Sequence, residues 1–296
     1  MIDFLAQYRP NFDLFLIAAG FAYSQQIVLK AGVFSIATGG FASLGAYSVA
    51  ILLTRYGISP WVGLPVAMSV GAMAGLLMSV PLARLRGVYQ AIATLAFVEI
   101  VVSTMYFADG ITGGAAGIHS IPKVVGTLHL AIALAVVIYL FWALQRTGVG
   151  RAFEVIRQDE TVALTLGVSV TRYHAIAFVI SGAIGAFYGG LLSLYTYSVD
   201  PAQFGFEFVV AALAAVVLGG PSNMWGPLIG AAMLAILPEL ARPLAEYRPM
   251  VHGILLVVII TFLPEGIADS IAHRLRSRRV RRTQQASASH AVEGGR

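Results

Sequence analysis

The sequence contains no cysteine, and only 11% of its 296 residues are charged. Without cysteine, disulfides, thiolate metal sites and cysteine nucleophiles are all excluded. A soluble domain carries about 25% charged residues, so a soluble globular protein of this length is excluded as well. Hydrophobic residues make up 58% of the chain and occur in blocks long enough to cross about 30 Å of hydrocarbon. The composition therefore predicts a polytopic membrane protein.

Strand-like alternation is also missing, so the membrane-crossing segments are predicted to be helices in an all-α fold. We expect about nine of them: 12–29, 33–53, 61–82, 88–107, 128–145, 172–198, 206–220, 225–240 and 250–264. The short pair 206–220 and 225–240 could instead form a re-entrant hairpin, which widens the expected count to 8–10. Residues 1–268 are predicted to form the membrane domain, and residues 269–296 a basic and then disordered tail.

Basic residues predict the orientation of these spans. With the N-terminus outside, fourteen lysines and arginines fall on the inner side and five on the outer side, which is the positive-inside pattern. Six of the arginines lie between Arg274 and Arg282, just after the last span. A basic cluster there is typical of contact with anionic lipid and not of nucleic-acid binding. We expect the C-terminus to be cytoplasmic.

Two glycine-rich stretches, Ala37–Tyr47 and Leu218–Ala231, lie in or between predicted spans. An offset of five spans between them would give two halves of opposite topology, the inverted-repeat plan of many transporters. Glycine also lets membrane helices approach each other closely without any repeat. The sequence alone does not distinguish the inverted repeat from close helix packing.

The inner loop between the fifth and sixth spans covers residues 148–167, within a predicted coupling segment over 148–171. It is expected to form one amphipathic helix around 151–166. Apolar residues recur at helical spacing and charged residues occupy the other faces: Phe153, Ile156, Ala163 and Leu166, against Arg151, Glu154, Arg157, Asp159 and Glu160. Gly148 and Gly150 precede the helix, and Gly167 is placed to end it. The helix either lies in the lipid interface or docks its apolar stripe on a cytoplasmic protein, and its acids favour the protein.

Polar and glycine residues within the spans are candidates for a substrate path. Glu99 is the carboxylate predicted to lie well inside a span, where it lines the path, caps a broken helix or stays protonated. The TGGAAGI segment over 112–118 either forms a tight turn whose N–H groups could hold a carboxylate, or is a flexible external loop. The predicted path residues are Thr38, Gly39, Gly40, Thr94, Glu99, Thr112, Gly113 and Gly114.

Motifs for catalysis are absent from the sequence. No GxxxxGK[ST] segment occurs, so we expect no nucleotide hydrolysis by this chain itself. The six histidines are scattered, so no metal site is expected. These absences predict a non-catalytic protein with no cofactor of its own.

Four segments resemble, in order, the permease subunits of branched-chain amino acid ABC importers, and the M-type permease in particular. They are LRGVYQAIATLAFVEI from Leu85, TGGAAGI from Thr112, GRAFEVIRQDETVALTLGV from Gly150 and LGGPSNMWGPLIGA from Leu218. The resemblance covers approximately residues 30–265, nearly the whole membrane part of the chain.

This resemblance implies a set of partners and a cellular location. The partners are a second permease that completes a heterodimer, two ATP-binding subunits that hold ATP and Mg²⁺, and a periplasmic solute-binding protein; the location is the bacterial inner membrane, among lipid and without nucleic acid. The inner helix then resembles the family's ATPase-coupling element, whose pattern matches Gly150, Arg151, Ala152, Glu154, Arg157, Glu160 and Gly167. Phe153 and Ile156 complete the predicted coupling residues.

One departure from the family's pattern leaves the substrate open. Thr38 stands where histidine is common, and Ala37 where glycine is common. Besides branched-chain amino acids, similar importers carry urea, short amides or aromatic acids. A different class also remains open, a proton-coupled secondary transporter that works through Glu99.

Overall fold

A computed structural model describes residues 2–240 and, within them, the side chains of residues 9–236. The described α-helices are α1 (Ile2–Lys30), α2 (Thr38–Tyr56), α3 (Pro60–Leu82), α4 (Val88–Phe107), α5 (Asp109–Thr112), α6 (Thr127–Arg146), α7 (Gly148–Gln158), α8 (Glu160–Thr165), α9 (Val170–Thr196), α10 (Phe206–Gly219) and α11 (Gly226–Leu240). Two 3₁₀ turns, Gly114–Ala116 and Pro201–Phe204, accompany them. Strands β1 (Ile118–His119) and β2 (Ser198–Val199) form one short antiparallel pair. Apart from this pair, the described chain has the all-α architecture that the sequence predicts.

Six helical segments among residues 2–240 are long and apolar enough to cross a membrane. They are Arg9–Lys30, Pro60–Leu82, Val88–Phe107, Thr127–Arg146, Val170–Thr196 and Pro201–Gly219. Their start signals are local: Pro60, for example, occupies the first turn of α3, where its missing N–H leaves no hydrogen bond unmade. The count of about nine spans stays a prediction, because the predicted span 250–264 lies outside the described residues.

The second predicted span is misplaced at its start. Helix α2 begins at Thr38 and not at residue 33, and residues 33–37 are non-helical although most of them are buried. The first turn of α2 carries Gly39 and Gly40, whose low helix propensity disfavours extension of the helix toward the N-terminus. The chain therefore carries a stretch of buried, non-helical backbone between α1 and α2.

Helix α9 is the centre of the described bundle and packs against α1, α2 and α3. Small residues bring the backbones close: a Cβ at Gly182 would lie 2.2 Å from the carbonyl oxygen of Gly71 on α3. A Cβ at Gly45 on α2 would lie 1.9 Å from the carbonyl oxygen of Ala186 on α9. Such close backbone approach is how membrane helices gain packing energy in lipid.

Helices α10 and α11 form a hairpin that lies beside α1. A Cβ at Gly219 would lie 1.7 Å from the carbonyl oxygen of Gly226, so these glycines are needed where the two helices meet. Close packing thus accounts for both glycine-rich stretches, the one in α2 and the one around this hairpin. The inverted repeat stays a prediction.

The two ends of the bundle carry different structures. At one end, which we name the coupling end, α7 and α8 lie near the last turn of α1, the α3–α4 loop and the turn between α10 and α11. At the opposite end, α5 and the Gly114–Ala116 turn lead into the β1–β2 pair. The candidate functional residues lie along the bundle between these two ends.

Candidate functional site

Four consecutive residues of α1, which we name the α1 quartet, place polar groups in the bundle interior: Tyr23, Ser24, Gln25 and Gln26, each at most 2% exposed. The Tyr23 hydroxyl donates to the Met224 carbonyl at 3.0 Å, and Gln26 Nε2 donates to the Asn223 carbonyl at 2.7 Å. The Ser24 hydroxyl donates to the Ser181 carbonyl of α9 at 2.8 Å. Because one turn of α1 reaches both α9 and the α10–α11 turn, it links these elements.

Gln25 and Thr94 hold the non-helical segment between α1 and α2. Gln25 Nε2 donates to the Ser35 carbonyl, and Gln25 Oε1 accepts from the Thr38 hydroxyl. On the other side of the segment, Thr94 Oγ1 accepts from the Ile36 N–H at 3.0 Å. Non-helical backbone is tolerated at membrane depth only where protein or a wet cavity satisfies its polar groups. Thr38 and Thr94, both predicted as path residues, therefore meet around this segment.

Gly39 and Gly40 lie where the start of α2 meets α4, and Gly39 also meets the residues around the start of α10. A Cβ at Gly39 would lie 2.8 Å from the Phe204 carbonyl oxygen and 3.3 Å from Val98 of α4. A Cβ at Gly40 would lie 2.5 Å from the Phe97 ring. Both glycines let the start of α2 approach α4 closely.

Glu99 is separated from this buried cluster by the body of α4. Five helical residues turn the side-chain direction by about 140°, so Glu99 points away from Thr94. Thr94 is fully buried, whereas Glu99 is exposed. Glu99 lines an open groove on the outer face of α4 together with Ile100, Ser103, Thr104, Phe107 and Ala108. Thus the predicted path residues on α4 fall on two faces.

The loop that follows α4 is tightly wound. The Thr112 hydroxyl donates to the Met105 carbonyl at 2.7 Å, which ties the loop to the last turn of α4. Gly113 and Gly114 adopt φ of 76° and 58°, a region that favours glycine. The Gly113 N–H bonds the Asp109 carbonyl, and the Gly114 N–H bonds Thr112 Oγ1. These two N–H groups are engaged within the loop and are not offered to a carboxylate.

The single helix predicted around 151–166 is two helices, α7 and α8. The break lies at Asp159, whose backbone is extended. Asp159 Oδ1 accepts from the N–H groups of Thr161 at 2.7 Å and Val162 at 3.2 Å, which caps α8. These backbone donors hold the pKa of Asp159 below its ordinary value. Gly167, with φ of 77°, ends α8 as predicted.

Most of the predicted apolar stripe of this segment does not face outward, because Phe153, Ile156 and Ala163 are buried. Phe153 and Ile156 are 4% and 2% exposed, and the Phe153 ring packs edge-on against Tyr173 of α9 with centroids 6.4 Å apart. The periodicity is right, but the chain's own bundle covers this face. Leu166, the last residue of the predicted stripe, does face outward, as do Val162 and Leu164 of α8.

Charged residues of α7 and α8 contact loops of the same chain. Glu160 pairs with Arg86, just before α4, at 3.6 Å, and Arg157 donates to the Ser222 hydroxyl in the α10–α11 turn. A Cβ at Gly32, after α1, would lie 3.3 Å from the Arg157 Cα. A cavity of about 200 Å³ lies between α7 and the ends of α1 and α6. One short segment thus contacts three loops that begin or end spans.

Gly150 lets the chain turn from α6 into α7. A Cβ at Gly150 would lie 2.5 Å from the Leu144 carbonyl oxygen of α6. Arg151 and Glu154, the remaining predicted coupling residues of α7, are exposed. Among residues 2–240 no three His, Cys, Asp or Glu side chains are grouped as a metal site would need.

The chain matches the family described as the permease component of branched-chain amino acid transport systems over residues 13–263. LivM, a high-affinity branched-chain amino acid transport system permease protein of Salmonella typhimurium, is 35% identical over 275 residues, covering 81% of this chain. LivM of Escherichia coli is 34% identical over the same share. LivH of Escherichia coli, a permease protein with the same system description, is 30% identical over 154 residues, or 51% of this chain and 48% of LivH.

This chain spans 65% of the length of each of those two LivM proteins. No solved structure gives a significant match. The family match covers most of the chain, the relatives are named as transport permeases, and six described helices are apolar and long enough to span a membrane. The protein is therefore a multi-pass membrane protein, and it belongs to the family of permease components of branched-chain amino acid transport systems.

Proposed function

We propose that this chain forms half of the pore of an ABC importer for branched-chain or related amino acids in the bacterial inner membrane. A second permease completes the pore, and two ATP-binding subunits, which hold ATP and Mg²⁺, drive it from the cytoplasm. A periplasmic solute-binding protein delivers the substrate. The permease family match supports this assignment.

The observation that carries the proposal is the set of contacts made by α7 and α8. This segment touches the end of α1 at Gly32, the α3–α4 loop at Arg86, α9 at Tyr173 and the α10–α11 turn at Ser222. A movement imposed on it would reach four parts of the bundle at once. A segment with these contacts would transmit movement from a separate ATP-hydrolysing protein to the membrane helices.

The surface offered to the ATP-binding subunits is formed by the outward residues of α7 and α8. Val162, Leu164 and Leu166 are 50%, 54% and 66% exposed, and Arg151 and Glu154 flank them on α7. Apolar anchors rimmed by mixed charges are typical of a protein interface. Arg157 and Glu160 act differently, because they pass the movement inward to Ser222 and Arg86.

Helix α4 is the proposed wall of the substrate path. Each predicted path residue lies on α4, packs against it or neighbours a residue that does. The buried cluster around Thr38 and Thr94 holds the inner face of α4 in place, and Thr112 holds its end. The outer face, with Glu99, would line the path itself.

The basic residues support an orientation with the coupling end in the cytoplasm. The β1–β2 end would then face the periplasm and the solute-binding protein. The C-terminus, beyond the described residues, would be cytoplasmic.

The test is reconstitution of this chain with its companion permease, the ATP-binding subunits and the solute-binding protein in vesicles. We expect ATP-dependent uptake of a labelled branched-chain amino acid, with urea, short amides and aromatic acids as competitors that define the substrate. Uptake that needs no nucleotide and stops when the proton gradient is dissipated would contradict the proposal and favour the Glu99-dependent secondary transporter.

A paired variant tests the docking surface. Leu164→Asp combined with Leu166→Asp should prevent the ATP-binding subunits from copurifying, because two exposed apolar residues that the docked subunit would cover become charged. Ile111→Asp is the matched control, since Ile111 is 56% exposed but lies on α5 at the opposite end. Full copurification of the double variant would contradict this assignment of the docking surface.

A further inference from the structure

Three long helices expose a face along their length, and one of these faces differs from the other two. The exposed residues of α3 and α6 are predominantly apolar and include Met73, Leu77, Val80, Leu128, Ile132 and Val136. The exposed face of α4 carries Glu99, Ser103 and Thr104 beside the apolar Ile100 and Phe107. Lipid is a good environment for the first two faces and a poor one for the third.

Glu99 makes the α4 face unsuitable for hydrocarbon. It lies near the middle of a 20-residue span, where an ionised carboxylate is strongly disfavoured and snorkelling to the interface is hardest for a short side chain. The described side chains give it no ion pair. The Thr104 hydroxyl donates to the Ile100 carbonyl of its own helix at 2.7 Å. An ionised carboxylate can only accept, so it cannot make such a bond. The groove therefore requires water or protein in front of it.

We propose that this α4 face is where the companion permease packs, so that the groove around Glu99 becomes a wet passage between the two chains. Ile100 and Phe107, which are 65% and 88% exposed, would make the apolar contacts, and Glu99 would face the passage. The inference rests on the proposed function for the existence of a companion. It adds which face of this chain meets that companion.

Similarity between the two kinds of permease supports a symmetric arrangement. Escherichia coli contains both a LivM and a LivH that are similar to this chain. Similar subunits pair most simply about a two-fold axis, and such a pairing uses the same patch on both partners. The companion would therefore present its own α4, and the two helices would lie on opposite sides of the axis.

Absence of cysteine from the chain makes a crosslinking test clean. The full complex is expressed with Ser103→Cys in this chain and one cysteine at the aligned position of an otherwise cysteine-free companion, and is then oxidised. We expect this chain to shift to the mass of the heterodimer. Met73→Cys on α3 and Val136→Cys on α6 are the controls. With a companion cysteine at its own aligned position, neither variant should shift to the mass of the heterodimer.

Accessibility to a water-soluble thiol reagent gives a second measurement. In the complex, the Ser103→Cys variant should react with a charged methanethiosulfonate, whereas Met73→Cys should stay unreactive in lipid. Crosslinks from α3 or α6 in place of α4 would overturn the proposal. So would an unreactive, uncrosslinked Ser103→Cys, which is the result for a face in lipid.

The chain's own predicted span 250–264 is the competing occupant of the groove. A second cysteine scanned through that span, together with Ser103→Cys, would give an intrachain crosslink if that span covers α4, and that result would overturn the proposal. The companion crosslink does not depend on which substrate is carried. Failure of amino acid uptake with an intact α4 crosslink would thus count against the proposed function alone.

Discussion

Helices α1 and α4 are both apolar spans that carry polar residues, but they place those residues in opposite surroundings. In α1 the quartet of Tyr23, Ser24, Gln25 and Gln26 is buried, and each residue bonds a partner on another segment. In α4, Thr94 is buried and bonded in the same way, whereas Glu99 is exposed. A polar residue in a span can therefore serve the fold of its own chain or face something beyond it.

The difference follows from what each group can find within the chain. Gln25 offers both a donor and an acceptor. The non-helical segment between α1 and α2, here called the broken segment, and the first residue of α2 offer the Ser35 carbonyl and the Thr38 hydroxyl. An ionised Glu99 can only accept, and the described bundle gives it no cation. Substitutions in the two helices should therefore damage different properties, namely stability for α1 and transport for α4.

The largest effect is expected from Gln25→Leu. This change leaves the Ser35 carbonyl and the Thr38 hydroxyl without their partner, and each buried unsatisfied group costs about 1–3 kcal/mol. We expect a large fall in the thermal stability of the detergent-purified chain, measured by fluorescence-detected size exclusion after heating, with uptake abolished in parallel.

Ser69→Ala is the control for that fall, because the Ser69 hydroxyl bonds only the Pro65 carbonyl of its own exposed helix face. A Gln25→Leu chain as stable as this control would break the comparison, since the α1 quartet would then not hold the broken segment.

Glu99→Leu should show the opposite pattern. Stability of the chain in detergent should change by no more than about 0.5 kcal/mol, as for other exposed positions. Uptake by the complex should fall by about tenfold, the effect expected when one hydrogen-bonding group is removed from the path. Thermal stability and initial uptake rate, measured on the same preparations, test both halves. A variant that is destabilised but transports normally would reverse the roles assigned to the two helices.

The same two helices show what the sequence could reveal. The bounds of α4 coincide with the predicted span 88–107, because an apolar run between a glycine and a polar loop is a local signal. The end of α8 at Gly167 is local too. The α1 quartet carries no such signal, since Gln26 and Tyr23 find their partners about 200 residues away. Sequence periodicity does not encode which distant loop a buried amide will meet.

Three further misses have physical causes. The periodicity of α7 predicts an apolar stripe at Phe153 and Ile156 but not its direction, and the bundle itself covers it. Apolar spacing also runs on through Asp159, where a side-chain cap interrupts the helix. Among the path residues, the grouping of Thr38 with Thr94 depends on the broken segment, which the hydropathy of 33–53 conceals.

A smaller effect is expected where the coupling end meets the α1 quartet. Arg157 bonds Ser222, and Gln26 bonds the carbonyls of Pro221 and Asn223 on either side of it. Arg157→Ala and Ser222→Ala should each reduce ATP-coupled uptake by about two- to fivefold. This corresponds to about 0.5–1 kcal/mol, the lower part of the range for an intramolecular hydrogen bond, because this bond is exposed. The double variant should be no more impaired than either single variant, because both remove the same link.

Basal hydrolysis by the ATP-binding subunits should stay unchanged in these three variants, which separates coupling from assembly. Fully additive decreases in uptake would show that Arg157 and Ser222 act independently. The link between the coupling end and the buried residues of α1 would then have to lie elsewhere.

The smallest effect concerns the response of local stability to acid. It should appear in α8, where the exposed Asp159 carboxylate accepts backbone hydrogen bonds, and not around the α1 quartet, whose side chains are neutral. The N–H groups of Val162 and Thr161 lower the pKa of Asp159 in the folded chain. A lowered pKa means that the cap contributes fully to the stability of α8 above the unfolded pKa of about 3.9, and that this contribution is lost as the pH falls through the folded pKa.

Amide exchange in α8, corrected for its intrinsic rate, should therefore be flat from pH 8 to pH 5 and accelerate in stronger acid. The Asp159→Asn variant keeps an acceptor at the cap and should remove this acceleration, while the amides around Gln25 should show none in either chain. If Asp159→Asn accelerated as the parent does, the acid response of α8 would come from another group, and the cap would matter for geometry alone.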